Sequence, residues 1–392
     1  MACVNRACEN ELALIWRAHQ RPVCGAIAAA ARITTELLTF SPAAPRVIVS
    51  AAEAGHGVSN PAADLMKRNG MAGFAIALFA LIAAAAPAAA EIFPSRPVTM
   101  MVGFPPGGPT DTLARIIADA MQGSLGQPVV VETLSGASGT IATGRVVHAR
   151  PDGYTLGIGN WSSHVASPAI YPLDYNIMRD LQPISLLSAS PLWIIGKEAL
   201  PPNTMAELIA WMKTRSEPTS FGTVGTGSAA HLCGLYFAQK TGLRLQYVPY
   251  RGGGPAMQDL IGGQIDLSCL EASSGLAYVQ AGKFKAYAVM SEQRWPKSPD
   301  TPTLSEFGIV GATINFWHAL WTTRGTPKES VDRLDAAVMS ALANPAVRQR
   351  LETFGQVIFP RDQQNPAALA TYHKAEIDKW WPIIKAAGIK AE

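Results

Sequence analysis

The sequence predicts an α/β protein of two lobes. Three observations carry this. Short apolar runs alternate with helical stretches of about 10–15 residues, the signature of strands joined through helices into parallel sheets. Glycine-rich loops sit between a strand end and a helix start at three separate places. The chain has 392 residues, 48% hydrophobic and only 16% charged, which is enough for two ordinary cores.

The first set of elements begins with a buried strand, Val98 to Val102, and the turn Gly103-Phe104-Pro105-Pro106-Gly107-Gly108-Pro109-Thr110-Asp111. A helix over residues 112–121 follows, with Thr110 or Asp111 as its cap. A strand at 129–132 leads through a Gly/Ser loop at 135–140 to a helix ending near His148. A strand at 154–159 leads through Asn160-Trp161-Ser162-Ser163-His164 to another helix.

The second set has strands at 192–196, 220–224, 245–250, 265–270 and 285–290. Helices are expected at 205–213, 229–239 and 255–261. The loops Gly225-Thr226-Gly227-Ser228 and Arg251-Gly252-Gly253-Gly254 precede the last two of these helices. Residues 295–302 are rich in proline. A strand at 316–322 is followed only by helices, at 328–343, 345–354 and 366–387. Val331, Leu334, Val338 and Leu342 share one face of the first of these helices, so it packs on a core. The chain is expected to cross between lobes near 192–197 and again near 316–322. That gives one lobe of residues 91–193 plus 318–392, with the C-terminal helices, and a second of 194–317.

Ahead of the lobes, Met66-Lys67-Arg68, an apolar run over 71–86, Pro87 and Ala88-Ala89-Ala90 form the pattern of a secretory signal cleaved near Ala90. The apolar run is short for a membrane span, which needs roughly 20 residues. Such a signal is read at the true N-terminus, so residues 1–65 are expected to be an over-extended reading frame without ordered structure. The formal net charge of the whole chain is +3, with no run of basic residues and therefore no nucleic-acid footprint. Two cysteines lie beyond the signal, Cys233 and Cys269. In an oxidising compartment they either pair or stay as buried thiols.

The site chemistry starts from the loops. Two prolines and two glycines make a stiff turn with a bare tip, and the helix behind it aims unpaired N–H groups at open space, which suits an anion. All three glycine loops follow the carboxyl end of a strand, the edge where open α/β sheets bind ligands. Gly225-Thr226-Gly227-Ser228-Ala229-Ala230 matches a dinucleotide fingerprint, but the acid expected about 20 residues on is absent. No cofactor is expected. There is no G-x-S-x-G, H-E-x-x-H or C-x-x-C, hence no hydrolase or metal signature. His164 and His231 sit at helix starts, as ligand donors or as packing and capping groups. The sole catalytic arrangement on offer is His164 with Ser162 or Ser163, and nothing orients it. Arg251 either grips a carboxylate or is solvated. Glu271 ends a strand at the same edge and either meets a ligand or faces water. Trp161 and Trp317 wall the cleft or fill the core.

The ordered motifs Gly103-Phe104-Pro105-Pro106-Gly107-Gly108-Pro109-Thr110-Asp111, Pro151-Asp152-Gly153-Tyr154-Thr155-Leu156, Val248-Pro249-Tyr250-Arg251-Gly252-Gly253-Gly254-Pro255-Ala256, Gly262-Gly263-Gln264-Ile265-Asp266 and Gly325-Thr326-Pro327 resemble the Bug family. These are the extracytoplasmic solute receptors of tripartite tricarboxylate transporters. The resemblance covers about residues 93–388. It implies a periplasmic, non-enzymatic Venus-flytrap protein, type II-like, with a small carboxylate in a hinge cleft. It also implies that backbone N–H groups and ordered water from residues 104–111 and 250–256 hold one carboxylate. Integral-membrane transporter subunits or a sensor kinase would be the partner.

The candidate ligand set comprises Phe104, Pro106, Gly107, Gly108, Thr110 and Asp111 from the first loop, then Ser162 and His164. The second lobe adds Thr226, Gly227 and Ser228, then Tyr250, Arg251, Gly253, Gly254, Pro255 and Ala256, and finally Glu271. The family often carries an Asp-Asn or similar polar pair where this chain has Leu270-Glu271. A glutamate at the far end is expected to repel a second carboxylate, pointing to a monocarboxylate or to a ligand ending in an amine or hydroxyl.

Overall fold

A computed structural model describes residues 92–311, 313–386 and 388–389. The expected signal and residues 1–65 lie outside the described residues. In chain order the elements are β1 (Val98–Val102), α1 (Pro109–Leu125), β2 (Val129–Thr133), α2 (Thr140–Val147), β3 (Thr155–Asn160), β4 (Leu181–Lys197), α3 (Met205–Thr214), β5 (Thr219–Thr223) and α4 (Ala229–Thr241). Then come β6 (Leu245–Pro249), α5 (Gly253–Ile261), β7 (Leu267–Glu271), α6 (Ala272–Gln280), β8 (Phe284–Val289), β9 (Asn315–Thr323), α7 (Lys328–Ala343), α8 (Pro345–Thr353), β10 (Val357–Ile358) and α9 (Pro366–Ala386).

The sheet runs β2-β1-β3-β9-β4-β7-β5-β6, with β8 and β10 both on β4. β4 belongs to both lobes. Its first part pairs with β9, ending at Pro191 opposite Asn315. Its second part pairs with β7 from Leu192 opposite Glu271, and with β8. Pro191, which has no N–H to offer a ladder, stands at the change of partner. The fold is the two-lobe α/β architecture expected, but the sheets are mixed. β1, β2 and β3 are parallel, as are β5, β6 and β7, while β4, β8, β9 and β10 pair antiparallel.

Residues 181–190 are strand where none was expected. Gln182, Pro183 and three serines break the apolar run there, and each serine is satisfied in a buried setting. Ser185 Oγ donates to the Leu186 carbonyl, Ser188 Oγ donates to Gln356, and Ser190 Oγ accepts from the Ser273 N–H. Burial on both faces, not alternation, makes this segment a strand.

α1 illustrates how an element positions the site. Leu113, Ile117 and Met121 are fully buried against the sheet and α7, and Gly126 ends the helix in the left-handed conformation at φ 72°. The helix begins at Pro109, three residues earlier than expected, with Gly108 as its cap residue and no side-chain cap. Proline fits this first position because no N–H is needed there. Val331, Leu334, Val338 and Leu342 of α7 are all buried, as their shared face requires. Trp161 and Trp317 are core residues. Their indole N–H groups both donate to Glu376 Oε2 on α9, at 2.9 and 3.3 Å. Burial raises the Glu376 carboxyl above its ordinary range. Cys233 on α4 and Cys269 on β7 form a disulfide, resolving the choice between a bridge and two buried thiols.

Candidate functional site

The starts of four helices meet between the lobes. Gly108, Pro109 and Thr110 open α1; Ala229 and Ala230 open α4; Gly253 opens α5; Glu271 precedes α6. All seven line one cavity, together with Phe104, Asn160, Leu192, Cys269, Leu270 and Phe316. No lysine or arginine is among the lining residues.

The helix starts supply donors instead. The first N–H groups of an α-helix have no acceptor within it. At α4 the neighbouring groups are taken, with Ala229 N–H given to Ser162 Oγ and His231 N–H to Ser228 Oγ. The N–H groups of Thr110, Ala230 and Gly253 have no acceptor among the described residues. Three helix dipoles therefore point their positive ends into one small apolar space.

The lobes are closed on each other. A Cβ on Gly252 would lie 2.4 Å from Pro105 Cδ, and one on Gly253 3.7 Å from Pro109 Cδ. On the other flank, Ser138 Oγ and Tyr171 OH both donate to the Thr226 carbonyl, at 3.1 and 2.9 Å. Ser162 accepts across the same gap at 2.9 Å.

The first jaw is held from behind. Asp111 does not cap α1. Its carboxylate accepts from the Gly107 N–H at 2.9 Å and from Arg115 Nε and Nη2 at 3.0 and 2.9 Å. Gly107 takes φ +78°, which a residue with a Cβ adopts only with strain.

At the far end the polar groups form a buried cluster. Thr110 Oγ1 accepts from Asn160 Nδ2 at 3.0 Å and lies 3.1 Å from His318 Nε2. Ser188 donates to Gln356 Oε1 at 2.7 Å, which orients the Gln356 amide so that Nε2 donates to Glu271 Oε1. Ser273 Oγ donates to the same Oε1 at 3.0 Å. Glu271 Oε2 is buried without a hydrogen-bond partner, 3.8 Å from His318 Nε2. Burial pushes the Glu271 carboxyl up to about 8, against the partial relief from Gln356 and Ser273. Burial likewise pushes the His318 imidazole down to about 3. Burial thus favours the neutral form of both groups, and a neutral Glu271 would not repel a second carboxylate.

Several expected ligand residues lie elsewhere. His164 is inside the core, stacked on Trp321 at 3.8 Å between ring centroids, with its Nδ1 on Ser163 Oγ at 2.9 Å and its carbonyl accepting from His373. Burial and the nearby His373 hold its imidazole well below the ordinary range. Arg251 is exposed on the outer side of its loop, as are Pro106 and Gly107 on theirs. Tyr250 donates to Asp259 at 2.6 Å, and Ala256 packs into the second-lobe core. Ser162, Thr226, Gly227 and Ser228 serve the lobe-to-lobe contact and the start of α4. Pro255 and Gly254 lie in the first turn of α5.

Asn160, Phe316 and Leu192 were not among the expected residues. Asn160 could have been found, since it ends β3 at the same edge as the glycine loops. The position of His318 and Gln356 behind Glu271 had no local signal. Among the described residues no group of His, Cys, Asp or Glu could hold a metal ion, and no helix is long and apolar enough to cross a membrane.

Two lobes sharing a strand, closed over a cavity lined by helix starts, define the solute-binding class of protein. Comparison with known proteins narrows this. The family model "Tripartite tricarboxylate transporter family receptor" matches residues 113–389. A UPF0065 protein of the TAR-I ttuE-ttuC′ intergenic region of Agrobacterium vitis is 38% identical over 306 residues, 76% of this chain and 87% of that protein. BugT of Bordetella pertussis is 33% identical, over 78% of this chain and 94% of its own.

Among solved structures, the periplasmic binding protein BugD superimposes with a TM-score of 0.73 at 38% identity, covering 76% of this chain and all of BugD. MatC from Rhodopseudomonas palustris with bound malate gives 0.71 at 36%, covering 74% and 100%. A second R. palustris protein, solved with adipate, gives 0.72 at 31%, covering 76% and 100%. The chain belongs to the tripartite tricarboxylate transporter receptor family, to which the Bug proteins belong, and is a solute-binding protein rather than an enzyme.

Proposed function

We propose that this chain is exported by its signal, cleaved near Ala90, and acts in the periplasm as the receptor for a small organic carboxylate. Residues 91–193 with 318–392 and residues 194–317 close around the ligand. One carboxylate is held by the N–H groups of Thr110, Ala230 and Gly253, while Phe104, Leu192 and Phe316 cover its carbon chain. The closed form then presents the ligand to the membrane subunits of a tripartite tricarboxylate-type transporter.

The observation that carries this reading is the convergence of α1, α4 and α5 on a cavity without a cationic side chain. Hydrogen bonds to a charged group are worth roughly 1.5–3 kcal/mol each. Three of them supply roughly 4.5–9 kcal/mol, so micromolar binding, about 8 kcal/mol net of the cost of association, also draws on the apolar cover of Phe104, Leu192 and Phe316. The malate and adipate held by two structural relatives set the chemical range to try first.

The test is a thermal-shift and calorimetric screen of the exported protein with malate, succinate, adipate, aspartate and butyrate. A ligand bound only by the native state raises the melting temperature. Saturable binding of at least one acid, released unchanged, is expected. No binding by any of them, or chemical turnover of a bound acid, would overturn the reading.

A further inference from the structure

The far end of the cavity holds an arrangement that carboxylate capture by helix starts does not use. Glu271 has two oxygens in different situations. Oε1 accepts from both Gln356 Nε2 and Ser273 Oγ, so its lone pairs are engaged. Glu271 lines the cavity, and its Oε2 is buried there with no hydrogen-bond partner. A buried polar atom left without a partner costs free energy unless something completes it.

The surroundings decide which form of the carboxyl sits there. The groups facing it are Ser188, Ser190 and Leu192 from β4, Phe316 and His318 from β9, Thr110 from α1, Gln356 ahead of β10, and Ser273 and Ser274 from α6. His318 is the one titratable group among them, and its burial keeps it neutral. No cation compensates a charge on Glu271, which is why its carboxyl is pushed up to about 8. With Oε1 already accepting twice, the proton resides on Oε2.

Resting on the receptor reading above, we propose that Glu271 grips the far end of the ligand as a protonated carboxyl, donating its Oε2–H to an acceptor oxygen. The receptor thereby selects organic acids whose second polar group is a hydroxyl, carbonyl or carboxylate oxygen. It discriminates against a purely apolar tail, which leaves Oε2 unpaired, and against an ammonium, which cannot accept. An ammonium would also require an ionised Glu271, and no neighbouring cation favours that form. A carboxylate that charge repulsion would exclude becomes an acceptable far end.

Binding is then linked to the proton. Affinity for a ligand whose own charge is constant stays level below pH 7. It falls by about ten- to thirtyfold between pH 7 and 9.5 as free Glu271 ionises. The experiment measures dissociation constants by calorimetry at pH 6, 7.5 and 9.5 for malate, succinate, adipate, aspartate and butyrate. The exported wild-type protein is compared with Glu271→Gln and Glu271→Leu. The wild type is expected to prefer succinate, whose far carboxylate accepts from Oε2–H, over butyrate, whose tail is apolar, with the stated fall at high pH. Glu271→Gln retains an N–H donor but not the proton, so its pH 6 to pH 9.5 ratio drops to near one. Glu271→Leu weakens binding of the acceptor-bearing acids about tenfold or more at pH 6.

Binding with no pH dependence in the wild type, or no preference for succinate over butyrate, overturns this proposal and leaves the receptor reading intact. Absence of binding by all five acids at every pH overturns the receptor reading and this proposal with it. A folded Glu271→Leu is verified by its melting transition. Should it not fold, the pH ratio of Glu271→Gln decides alone.

Discussion

Asp111 and Glu271 are both buried carboxyl groups beside the cleft, one in each lobe, and their neighbourhoods are opposite. Asp111 is met by the Arg115 guanidinium through two bonds and by the Gly107 N–H. Glu271 is met by an amide and a hydroxyl, with no cation at hand. The first arrangement fixes a loop by satisfying a charge. The second leaves a carboxyl whose cheapest state is neutral. A buried carboxyl thus serves as scaffold at one jaw and, as proposed above, as a polar contact in the cavity at the other, and the difference lies in what stands around it.

The largest effect expected from this contrast is in stability. The Glu271 carboxyl is raised to about 8 in the folded chain from an ordinary value near 4.5. The folded state therefore binds the proton more tightly. The stability tied to it is fully present below about pH 4.5 and is lost as pH rises through about 8. Glu271→Gln should be more stable than the parent at pH 9 by on the order of 4 kcal/mol, with little difference at pH 4. Denaturant unfolding across that range reads it, and equal stabilities at pH 9 would erase the contrast with Asp111.

Next is the disulfide, which joins residues 36 apart in the lobe that carries Glu271. Replacing Cys233 and Cys269 together by alanine should cost about 3–4 kcal/mol by the chain-entropy estimate. Reductant should reproduce most of that loss in the parent protein and do nothing to the double variant.

Jaw contact comes third. Gly252 has extended backbone at φ 176°, so a Cβ there meets only Pro105. Gly252→Ala should hold the jaws apart and weaken ligand binding by about ten- to a hundredfold, with its melting temperature in the absence of ligand nearly unchanged. Asp111→Asn should cost about 1 kcal/mol of stability, because Arg115 is half exposed, and a few-fold in affinity. The smallest effect is at Arg251, whose exposed side chain lies off the cavity. Arg251→Ala should change affinity less than threefold, and a loss above tenfold would bring that arginine into the site.

How much of this was legible in the residues varies with the range of the interaction. Gly107-Gly108-Pro109 announces a helix start bare of side chains, because turn chemistry is local. Val331, Leu334, Val338 and Leu342 announce a buried face for the same reason. Residues 181–190 were opaque because their burial comes from β9 and β10, and Ser188 and Ser190 find partners far along the chain. His164 has the look of a ligand group in its Asn160–His164 loop. It becomes a core residue only once Trp321 and His373 are brought around it. Glu271 was legible in position and not in charge state, since Gln356 lies 85 residues away and no spacing rule connects them.

The disulfide has a geometric consequence for recognition. It ties α4, whose first turn offers the Ala230 N–H, to β7, whose last residue is Glu271. Two of the second-lobe contacts proposed for the ligand are thus fixed to one rigid strut, like the two points of a caliper. A ligand one methylene too long cannot be accommodated by spreading those points and must instead wedge the lobes open, so chain length is measured covalently in one lobe and registered as failure of the other to shut.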